Sequence, residues 1–344
     1  FNFLVLALAF LGLNTGSIAQ PWTYDFGTGT GTFTSTTASL TFLPAAPAGN
    51  DRVRVGTNPG SFVLANPGLA GLGSGTELQI SSNTSSTSTT KFSVYDWTTA
   101  TKVGYVKYKI SLAGGTNGVY QFALGDGANF SDNNAIGTAQ IFAGIRWTLG
   151  ASNTITYNVL NSATYGTTGI SNPTTLFSQS TSNIYQIEVY ANNETSSQNY
   201  SRSGTTYTLA NATWDLWVDG VRVGTNLAKG GLASNVVFDS FAINHQSSAS
   251  APGTVYVDDF EYSNALPQGI NVNGTIGTNE YGTHTNGSNQ ETSGAVVNYM
   301  NWDNTNLYIG VGNHNTTEAG VFFFDINPIV PVNGGTNADG SLTS

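Results

Sequence analysis

The chain of 344 residues contains no cysteine, and only 9% of its residues are charged. Without cysteine there are no disulfides and no thiolate metal ligands, so a hydrophobic core must stabilise the fold. A sandwich of more than about 200 residues buries enough apolar surface to do so, and the lack of cysteine therefore does not argue against export. The ten basic residues are scattered singly along the sequence. We therefore expect neither nucleic acid nor an anionic membrane surface as a partner.

The residues that are abundant are those of strands and turns. The chain has 41 Gly, 16 Tyr, 18 Phe and 6 Trp, is rich in Thr, Ser and Asn, and carries a net charge of −10. This composition is typical of a secreted all-β protein whose strands are joined by Gly and Asn turns. No segment shows a convincing helical period, and strands spaced without helical crossovers predict antiparallel sheets packed face to face, most simply a jelly-roll β-sandwich. The main predicted strands are 22–26, 53–55, 61–64, 77–80, 91–96, 104–112, 119–124, 139–147, 154–160, 184–190, 207–209, 236–244 and 255–262.

The first nineteen residues have the pattern of a signal peptide. An apolar run over 1–16 is too short to span a bilayer, and Ser17 and Ala19 place small residues at the −3 and −1 positions of a cleavage site. The alternative is a buried hydrophobic helix. The sequence thus predicts a secreted protein, at a bacterial cell surface, with no membrane span after cleavage.

The stretch 214–224 specifies a β-hairpin. Asp219 and Gly220 suit a two-residue turn in which both residues adopt positive φ. In that register Val218 faces Val221, and 216 opposes 223 on the same apolar face.

The same register places Trp217 opposite Arg222, on the other face of the hairpin, close enough for a cation to lie over a ring. Alternation therefore predicts that Trp217 faces solvent, as a platform for a sugar ring. The alternative is that the polar loop tract 191–204 folds over Trp217 and makes it part of a minor core.

Two stretches carry a resemblance to a known superfamily. The run Trp-Asp-Leu-Trp-Val-Asp-Gly-Val-Arg-Val-Gly at 214–224 resembles the late hairpin of concanavalin A-like jelly rolls of the laminin-G and glucanase type. The run Val-Tyr-Val-Asp-Asp-Phe-Glu-Tyr at 255–262 resembles their closing strand. The resemblance implies one jelly-roll domain over 20–264. The superfamily includes lectins, hydrolases, lyases and adhesion modules, so it does not give a function.

The motifs change after a short linker at 265–269, which contains Pro267. Residues 270–276, then Glu-Tyr-Gly at 280–282 and Asn-Trp-Asp-Asn-Thr-Asn-Leu-Tyr-Ile-Gly-Val at 301–311, are similar to the opening of family 9-type carbohydrate-binding modules and dopamine-monooxygenase N-terminal-like sandwiches. Asn273 stands where that family usually has Asp, and Tyr281 where it often has Trp. The resemblance implies a partial carbohydrate-binding-module-like β-sandwich over 270–344. The two-module plan resembles bacterial surface proteins exported through type IX secretion.

The sequence offers little for catalysis. A retaining glucanase of this fold needs two carboxylates about 5 Å apart, which that family takes from Glu-x-Asp-x-Glu on one strand, and no Glu-x-Asp occurs here. Glu188 and Glu194 are the nearest pair, but six positions separate them. His245, His284 and His314 have no metal-ligand spacing, and we expect them at the surface. The side-chain sets of polysaccharide lyases are not recognisable from spacing, so a lyase stays an alternative.

Asp258 is the strongest ionic signal. By alternation 256, 258, 260 and 262 share one face, so Asp258 lies among aromatic residues if that face is the inner one. A buried carboxylate must be paired, hydrogen-bonded or bound to a cation. The resemblance to jelly-roll carbohydrate-binding families implies a structural Ca²⁺ held by Asp258 and the early Asp25, and hard oxygen ligands favour Ca²⁺ over transition metals. The alternative is that Asp258 accepts backbone N–H groups of a neighbouring loop.

Flat sugar faces stack on aromatic rings, so several aromatic residues are candidate ligand-binding residues, each with burial in the core as its alternative. The function we predict is a non-catalytic, secreted, cell-surface carbohydrate-binding or adhesion protein, a monomeric module of a larger chain whose partner is a glycan. The alternatives are a polysaccharide-degrading enzyme and a structural spacer in a large adhesin. The candidate platform residues are Trp97, Trp147, Tyr157, Trp214 and Trp217, the last with Arg222.

Overall fold

The computed structural model describes residues 21–55, 60–73, 75–82, 90–247, 250–267, 290–293, 296–302 and 307–312. The predicted signal peptide at 1–19 and most of the second-module motifs lie outside these residues. The chain divides into two compact units, Phe1–Asn271 and Val272–Ser344. Among the described residues, no helix combines the length and hydropathy that crossing a membrane requires.

The structure is built almost entirely from antiparallel strands, as the composition predicts. Short helical segments occur only at α1 (Ala128–Ser131) and in a 3-10 turn (Thr138–Gln140) of the described chain. The strands of the first unit are β1 (Trp22–Tyr24), β2 (Gly31–Phe33), β3 (Asn50–Arg54), β4 (Ser61–Ala65), β5 (Glu77–Ser81), β6 (Lys91–Tyr95), β7 (Val103–Ala113), β8 (Val119–Gly125), β9 (Ile141–Leu149), β10 (Ile155–Asn161), β11 (Thr164–Gly166), β12 (Tyr185–Asn192), β13 (Gln198–Arg202), β14 (Thr205–Leu209), β15 (Thr213–Val218), β16 (Val221–Ala228), β17 (Ser240–Ser247) and β18 (Thr254–Ser263).

These strands form a jelly-roll sandwich of two large sheets. Sheet A has nine strands in the order β16-β15-β12-β7-β18-β5-β4-β2, with β1 paired to β18. Sheet B has seven, in the order β11-β10-β9-β8-β17-β6-β3. The core lies between the sheets because alternate side chains of each strand point inward. On β7, Val106, Tyr108 and Ile110 are fully buried in this core, whereas Lys107 and Lys109 lie on the outer face, as alternation predicts.

The turn at 219–220 forms as predicted, with φ of 48° at Asp219 and 79° at Gly220. Trp217 pairs with Arg222 and Val218 pairs with Val221, which confirms the predicted register next to the turn. Farther from the turn the prediction is wrong, because a β-bulge shifts the register and 216 opposes 224 instead of 223.

The tract 191–204, predicted as a surface loop, is partly strand. Gln198–Arg202 pairs with Thr205–Leu209 as a separate two-stranded hairpin, which we call the cover hairpin. Tyr200 and Leu209 of this hairpin are buried in a small cluster with Tyr190 and Trp217. Leu209 falls in the predicted strand 207–209, whereas the polar composition of the tract gave no sign that Tyr200 is buried.

A second irregularity lies in the closing strand. The pairing of β18 with β7 shifts between Asp258 and Glu261, and Asp259 has a φ of 51°. Val257 and Phe260 are therefore both in the core, with two residues between them instead of one. The prediction that 256, 258, 260 and 262 share one face is wrong, because the extra residue of the bulge reverses the alternation after Asp258.

The described part of the second unit is a three-stranded antiparallel sheet of β19 (Gln290–Ser293), β20 (Val296–Trp302) and β21 (Leu307–Gly312). The motif that resembles family 9-type modules runs from the end of β20 into β21, and Trp302 pairs with Leu307. The residues at 273 and 281, where the motif departs from that family, lie outside the described residues.

Candidate functional site

Trp217 does not face solvent, so the predicted sugar platform is wrong there. Its side chain is buried under the cover hairpin, and its ring Nε1 donates a hydrogen bond of 2.9 Å to the Tyr200 hydroxyl. Tyr207 packs edge-on against it at 5.0 Å between ring centroids. The cation over its ring is that of Arg202, 4.5 Å away, rather than that of Arg222. The alternative expectation, that the tract after 191 covers Trp217, describes the structure.

Arg222 serves a buried carboxylate. Its guanidinium donates to Asp215, which is fully buried and also accepts the Tyr200 hydroxyl at 2.6 Å and the backbone N–H of Asn226 at 2.7 Å. Burial raises the pKa of Asp215, and these donors oppose that rise. Arg222 therefore has a structural partner in place of the predicted sugar hydroxyls.

The other predicted platform residues lie in the core. Trp147, Tyr157 and Trp214 are 0% exposed and Trp97 is 3% exposed. All four belong to the cluster between the two sheets. A ring without exposed surface cannot stack on a surface sugar, so the core alternative is the one observed.

The two candidate catalytic carboxylates do not form a pair. Glu188 is buried and accepts two hydrogen bonds of 2.8 Å from Arg202, and one of 2.8 Å from the Tyr190 hydroxyl. Burial alone would raise its pKa, and these bonds outweigh burial and hold the pKa below its usual value. Glu194 lies past the end of β12. The surface expectation is also wrong for His245, which is fully buried with Nδ1 2.8 Å from the Ser82 hydroxyl; the other two histidines lie outside the described residues.

Asp258 is a buried carboxylate, the property that made it a candidate cation ligand. The residue is 1% exposed, and its Oδ1 has no hydrogen-bond partner among the described residues. Burial raises its pKa to about 7, with the charges of Asp259, Asp25 and Glu77 adding to the effect. Glu77, by contrast, accepts backbone N–H groups of the loop at 70–71.

Asp258 lies within electrostatic range of Asp25, the other residue of the predicted Ca²⁺ site. The described residues contain no group of three or more His, Cys, Asp or Glu side chains placed to hold a metal. Ca²⁺ takes backbone carbonyls as well as carboxylates, so two carboxylates and main-chain oxygens suffice in principle. The backbone of Gly73 approaches so closely that an added Cβ would lie 2.6 Å from Asp258 Oδ2. The orphaned Oδ1 is the observation that points to a missing partner.

The outer face of sheet B carries a different polar feature, which we call the polar row. Six outward side chains stand directly opposite one another on six neighbouring strands, so that they form one line perpendicular to the strands. Five strand spacings make this line about 24 Å long. In order from β3 to β10 the polar row is Arg54, Lys91, Asn244, Gln121, Arg146 and Asn158.

The hydrogen-bonding capacity of the polar row is only partly used. Four of its side chains have a buried polar atom without a partner among the described residues: Arg54 Nε, Asn244 Oδ1, Gln121 Nε2 and Arg146 Nε. Buried polar atoms in native proteins are nearly always satisfied by protein, water or a ligand.

A loop over 126–140 crosses the same face beside the polar row. Its Phe130 and Ile136 pack on the small side chains Ala123 and Ala242, in the row next to the polar one. The Lys91 ammonium, fully buried, donates to the backbone carbonyl oxygens of residues 129, 132 and 134. The loop thus covers Lys91, next to one end of the polar row, whereas Arg54 on the edge strand β3 stays half-buried.

The other end of the polar row is open. Arg146 and Asn158 are half-buried. The Arg146 guanidinium lies 3.7 Å from the centroid of the Tyr165 ring, an arrangement that orients the guanidinium without neutralising it. Tyr165 comes from the short strand β11 at the edge of sheet B. An aromatic ring, a cation and an amide therefore meet at an accessible position.

The charges on the two outer faces differ. Sheet A and the cover hairpin hold four ion pairs, Lys107–Glu261, Lys109–Asp259, Arg202–Glu188 and Arg222–Asp215. On sheet B, no carboxylate of the described chain lies within the ion-pair distance of 4.0 Å from Arg52, Arg54, Lys91 or Arg146. Four of the ten basic residues therefore form no ion pair in the described chain, and the charge of Asp132 acts on three of them, Arg52, Arg54 and Lys91. The sequence showed them only as single, scattered residues.

A groove on the outer face of sheet A competes with the polar row as a binding surface. It has a volume of about 390 Å³ and is lined by Lys107, Lys109, Gln186, Glu261 and other polar residues. Its lysines already form ion pairs of 2.7 Å with Glu261 and Asp259. A ligand there would have to replace satisfied contacts, so we favour the polar row.

Comparison with known proteins gives similarity at the level of the fold. No protein-family model and no curated protein matches the chain. A Bacillus subtilis protein of unknown function with a galectin-like fold matches with a TM-score of 0.36 and 8% identity, over 63% of this chain and 90% of that one. The carbohydrate recognition domain of Emp47p matches with a TM-score of 0.36 and 12% identity, over 67% and 96%. The alginate lyase vAL-1 from Chlorella virus matches with a TM-score of 0.33 and 11% identity, over 63% and 93%. Scores this low carry no argument about function.

Proposed function

We propose that the first unit is a carbohydrate-binding module that receives a polysaccharide along the polar row of sheet B. The observation that carries the proposal is a straight line of six polar side chains, of which Arg54, Arg146 and Asn158, towards its two ends, are half-buried and can be reached by a ligand. A line of about 24 Å suits an extended polymer better than a compact small molecule. Long side chains with amide and guanidinium groups supply the directional contacts that sugars require.

The experiment is a binding panel of soluble polysaccharides against the first unit, with affinity measured by titration calorimetry. Asn158→Ala and Arg146→Gln should each weaken binding without changing the melting temperature by more than a few degrees. Binding that survives both substitutions, or that is lost on changing Gln186 in the groove of sheet A, would place the ligand elsewhere.

A polysaccharide lyase is the second candidate, and one observation favours it. Burial, together with the neighbouring arginines, lowers the pKa of Lys91 to about 7, which would allow a neutral amine to act as a base. Against this role, the same ammonium donates to three backbone carbonyls and is covered by the loop. An absorbance assay for unsaturated products in the binding samples separates the two functions. Product formation that Lys91→Met abolishes would establish the lyase.

We also propose a structural Ca²⁺ held by Asp258 and Asp25. When bound, the ion would neutralise the carboxylates that otherwise repel one another beside the bulge in β18. The unpartnered Oδ1 of Asp258 supports this proposal.

On the resemblances in the sequence we further propose that the protein acts at a bacterial surface. The apolar run at 1–16 with its cleavage pattern supports export, and the motif at 301–311 supports a family 9-type second module. The two-module plan fits a glycan-binding adhesin exported through type IX secretion. Immunolabelling of intact cells that express the full chain tests this placement, and labelling seen only after lysis contradicts it.

A further inference from the structure

The chemistry of the polar row indicates which polysaccharides it can accept. Its half-buried members are Arg54, Arg146 and Asn158, and the two guanidinium groups carry donors only. A sugar hydroxyl both donates and accepts, whereas a carboxylate or sulfate oxygen only accepts. A surface whose free capacity consists mainly of donors is therefore matched by a ligand rich in acceptors.

The charges on the outer face of sheet B also favour a ligand rich in acceptors. The whole chain has a net charge of −10, yet this face holds four cations that lack a carboxylate partner in the described chain. Arg52 donates to the Ser131 carbonyl and to Asn133 Oδ1, which are neutral acceptors, and Lys91 donates to three neutral carbonyls. The charge of Asp132 favours the charged forms of Arg52, Arg54 and Lys91 without an ion pair, and its carboxylate accepts the backbone N–H of Asn134. Cations gathered in partly buried positions destabilise one another unless an anion joins them.

The spacing of the cations fits a chain ligand. Arg54 and Lys91 are directly opposite one another on β3 and β6, and Arg146 stands three strands beyond Lys91. Arg54, at one end of the polar row, and Arg146, next to the other end, therefore lie roughly 19 Å apart, and both are half-buried, whereas the side chains between them are buried. This arrangement could hold two acid groups on different units of one polymer.

We propose that the polar row binds an acidic polysaccharide, whose carboxylate or sulfate groups are received by the half-buried Arg146 and Arg54 while the half-buried Asn158 contacts the sugar. This inference rests on the proposed function, since it names the ligand class of the same surface. Tyr165 holds the Arg146 guanidinium in place by stacking.

The test compares polymers that differ only in charge. Titration calorimetry of the full chain with sodium polygalacturonate and with its fully methyl-esterified form isolates the carboxylate, and dextran sulfate against dextran isolates the sulfate. We expect one acidic polymer of these pairs to bind at least about tenfold more tightly than its neutral counterpart, because hydrogen bonds to charged groups are worth more than neutral ones. Higher ionic strength should weaken that binding.

Matched variants test which residues are responsible for the tighter binding of the acidic polymer. Arg146→Gln and Arg54→Gln should each reduce affinity for the acidic polymer about tenfold, whereas Lys107→Gln removes the same charge from the opposite sheet and should change it less than twofold. Each variant must retain the melting temperature of the parent within a few degrees. Should either arginine substitution lower it further, the Arg→Lys variant at the same position, Arg146→Lys or Arg54→Lys, replaces it, because it keeps the charge and loses only the forked donors.

The outcomes separate the inference from the function on which it rests. Equal affinity for the acidic and neutral members of a pair overturns the inference and leaves carbohydrate binding standing. No binding to any polymer overturns both. Equal affinity for single-stranded DNA shows a general polyanion surface and overturns selectivity for polysaccharide, and loss of binding in Lys107→Gln transfers the site to the groove of sheet A.

Discussion

At the scale of single residues, Trp217 shows how a correct register led to a wrong environment. Its pairing with Arg222 forms as the turn chemistry predicts, but the cover hairpin, which directly precedes β15 in the chain, covers it. The ring is 5% exposed, and its N–H is hydrogen-bonded to Tyr200. Its role is therefore to anchor the cover hairpin.

Trp217→Ala should lower the free energy of unfolding by about 3–5 kcal/mol, the usual cost of removing a buried Trp. Affinity for the polysaccharide should not change in the protein that remains folded. Urea denaturation followed by circular dichroism measures the first effect. A loss below about 1 kcal/mol would show that the ring is not part of a packed cluster.

Asp258 gives a prediction that depends on both pH and cation. Its pKa in the folded protein is raised from 3.8 to about 7, so the proton stabilises the fold, and this contribution is complete below pH 3.8 and lost as pH rises through about 7. Without Ca²⁺ we therefore expect the melting temperature of the first unit to fall across that window. Saturating Ca²⁺ should remove the fall, because a cation that binds only the folded carboxylate form adds its own linkage.

The matched variant is Asp258→Asn, which keeps the shape of the side chain without the charge. This variant should melt at the same temperature with EDTA and with Ca²⁺. A parent protein that also ignores EDTA and Ca²⁺ at pH 8 would refute the calcium proposal.

At the scale of elements, buried polar contacts with β12 and β15 hold the cover hairpin in place more than the pairing of its own two strands does. Arg202 pairs with Glu188 on β12, and Tyr200 donates to Asp215 on β15. The side chains of the Arg202–Glu188 pair are 18% and 4% exposed. Removing one partner of a buried pair leaves the other charge uncompensated.

Arg202→Met should therefore destabilise the first unit by about 3 kcal/mol, and adding Glu188→Gln should restore part of that loss. The pKa of Glu188 is lowered in the folded protein, so its contribution is present above the ordinary value of 4.5 and is lost as pH falls below it. Denaturant titrations of both variants at pH 7 and pH 3 measure these effects. A double variant no more stable than the single one would show that charge compensation is not what holds the hairpin.

At the scale of the whole molecule, local sequence patterns predicted most of the sandwich and little of its surface chemistry. Alternation predicted the buried face of β7, and turn chemistry predicted the turn at 219–220. Both succeeded because each feature depends on residues that are neighbours in the sequence. The bulge at Asp258 was not predicted, and its extra residue moves every later side chain of β18 to the opposite face. Its mark is a backbone angle, the positive φ of Asp259, which the sequence does not show.

The sequence alone did not predict the alignment of the polar row, for a related reason. Each strand shows one outward polar residue between buried ones, such as Gln121 or Arg146, which reads as an ordinary half-buried strand. Their alignment depends on the register of strands that are far apart in the chain, for example Gln121 with Asn244. A search for single polar residues at outward positions of otherwise apolar strands would have found the members, although not their order.

The central claim is that the outer face of sheet B is the polysaccharide-binding surface. Hydrogen–deuterium exchange of the full chain, with and without a saturating acidic oligosaccharide, tests it most directly because it reports on every strand at once. The account predicts that exchange slows in β9, β10, β11 and the loop at 126–140, while the cover hairpin and β7 do not change. Slower exchange around the hairpin or along β7, with sheet B unaffected, would contradict the claim.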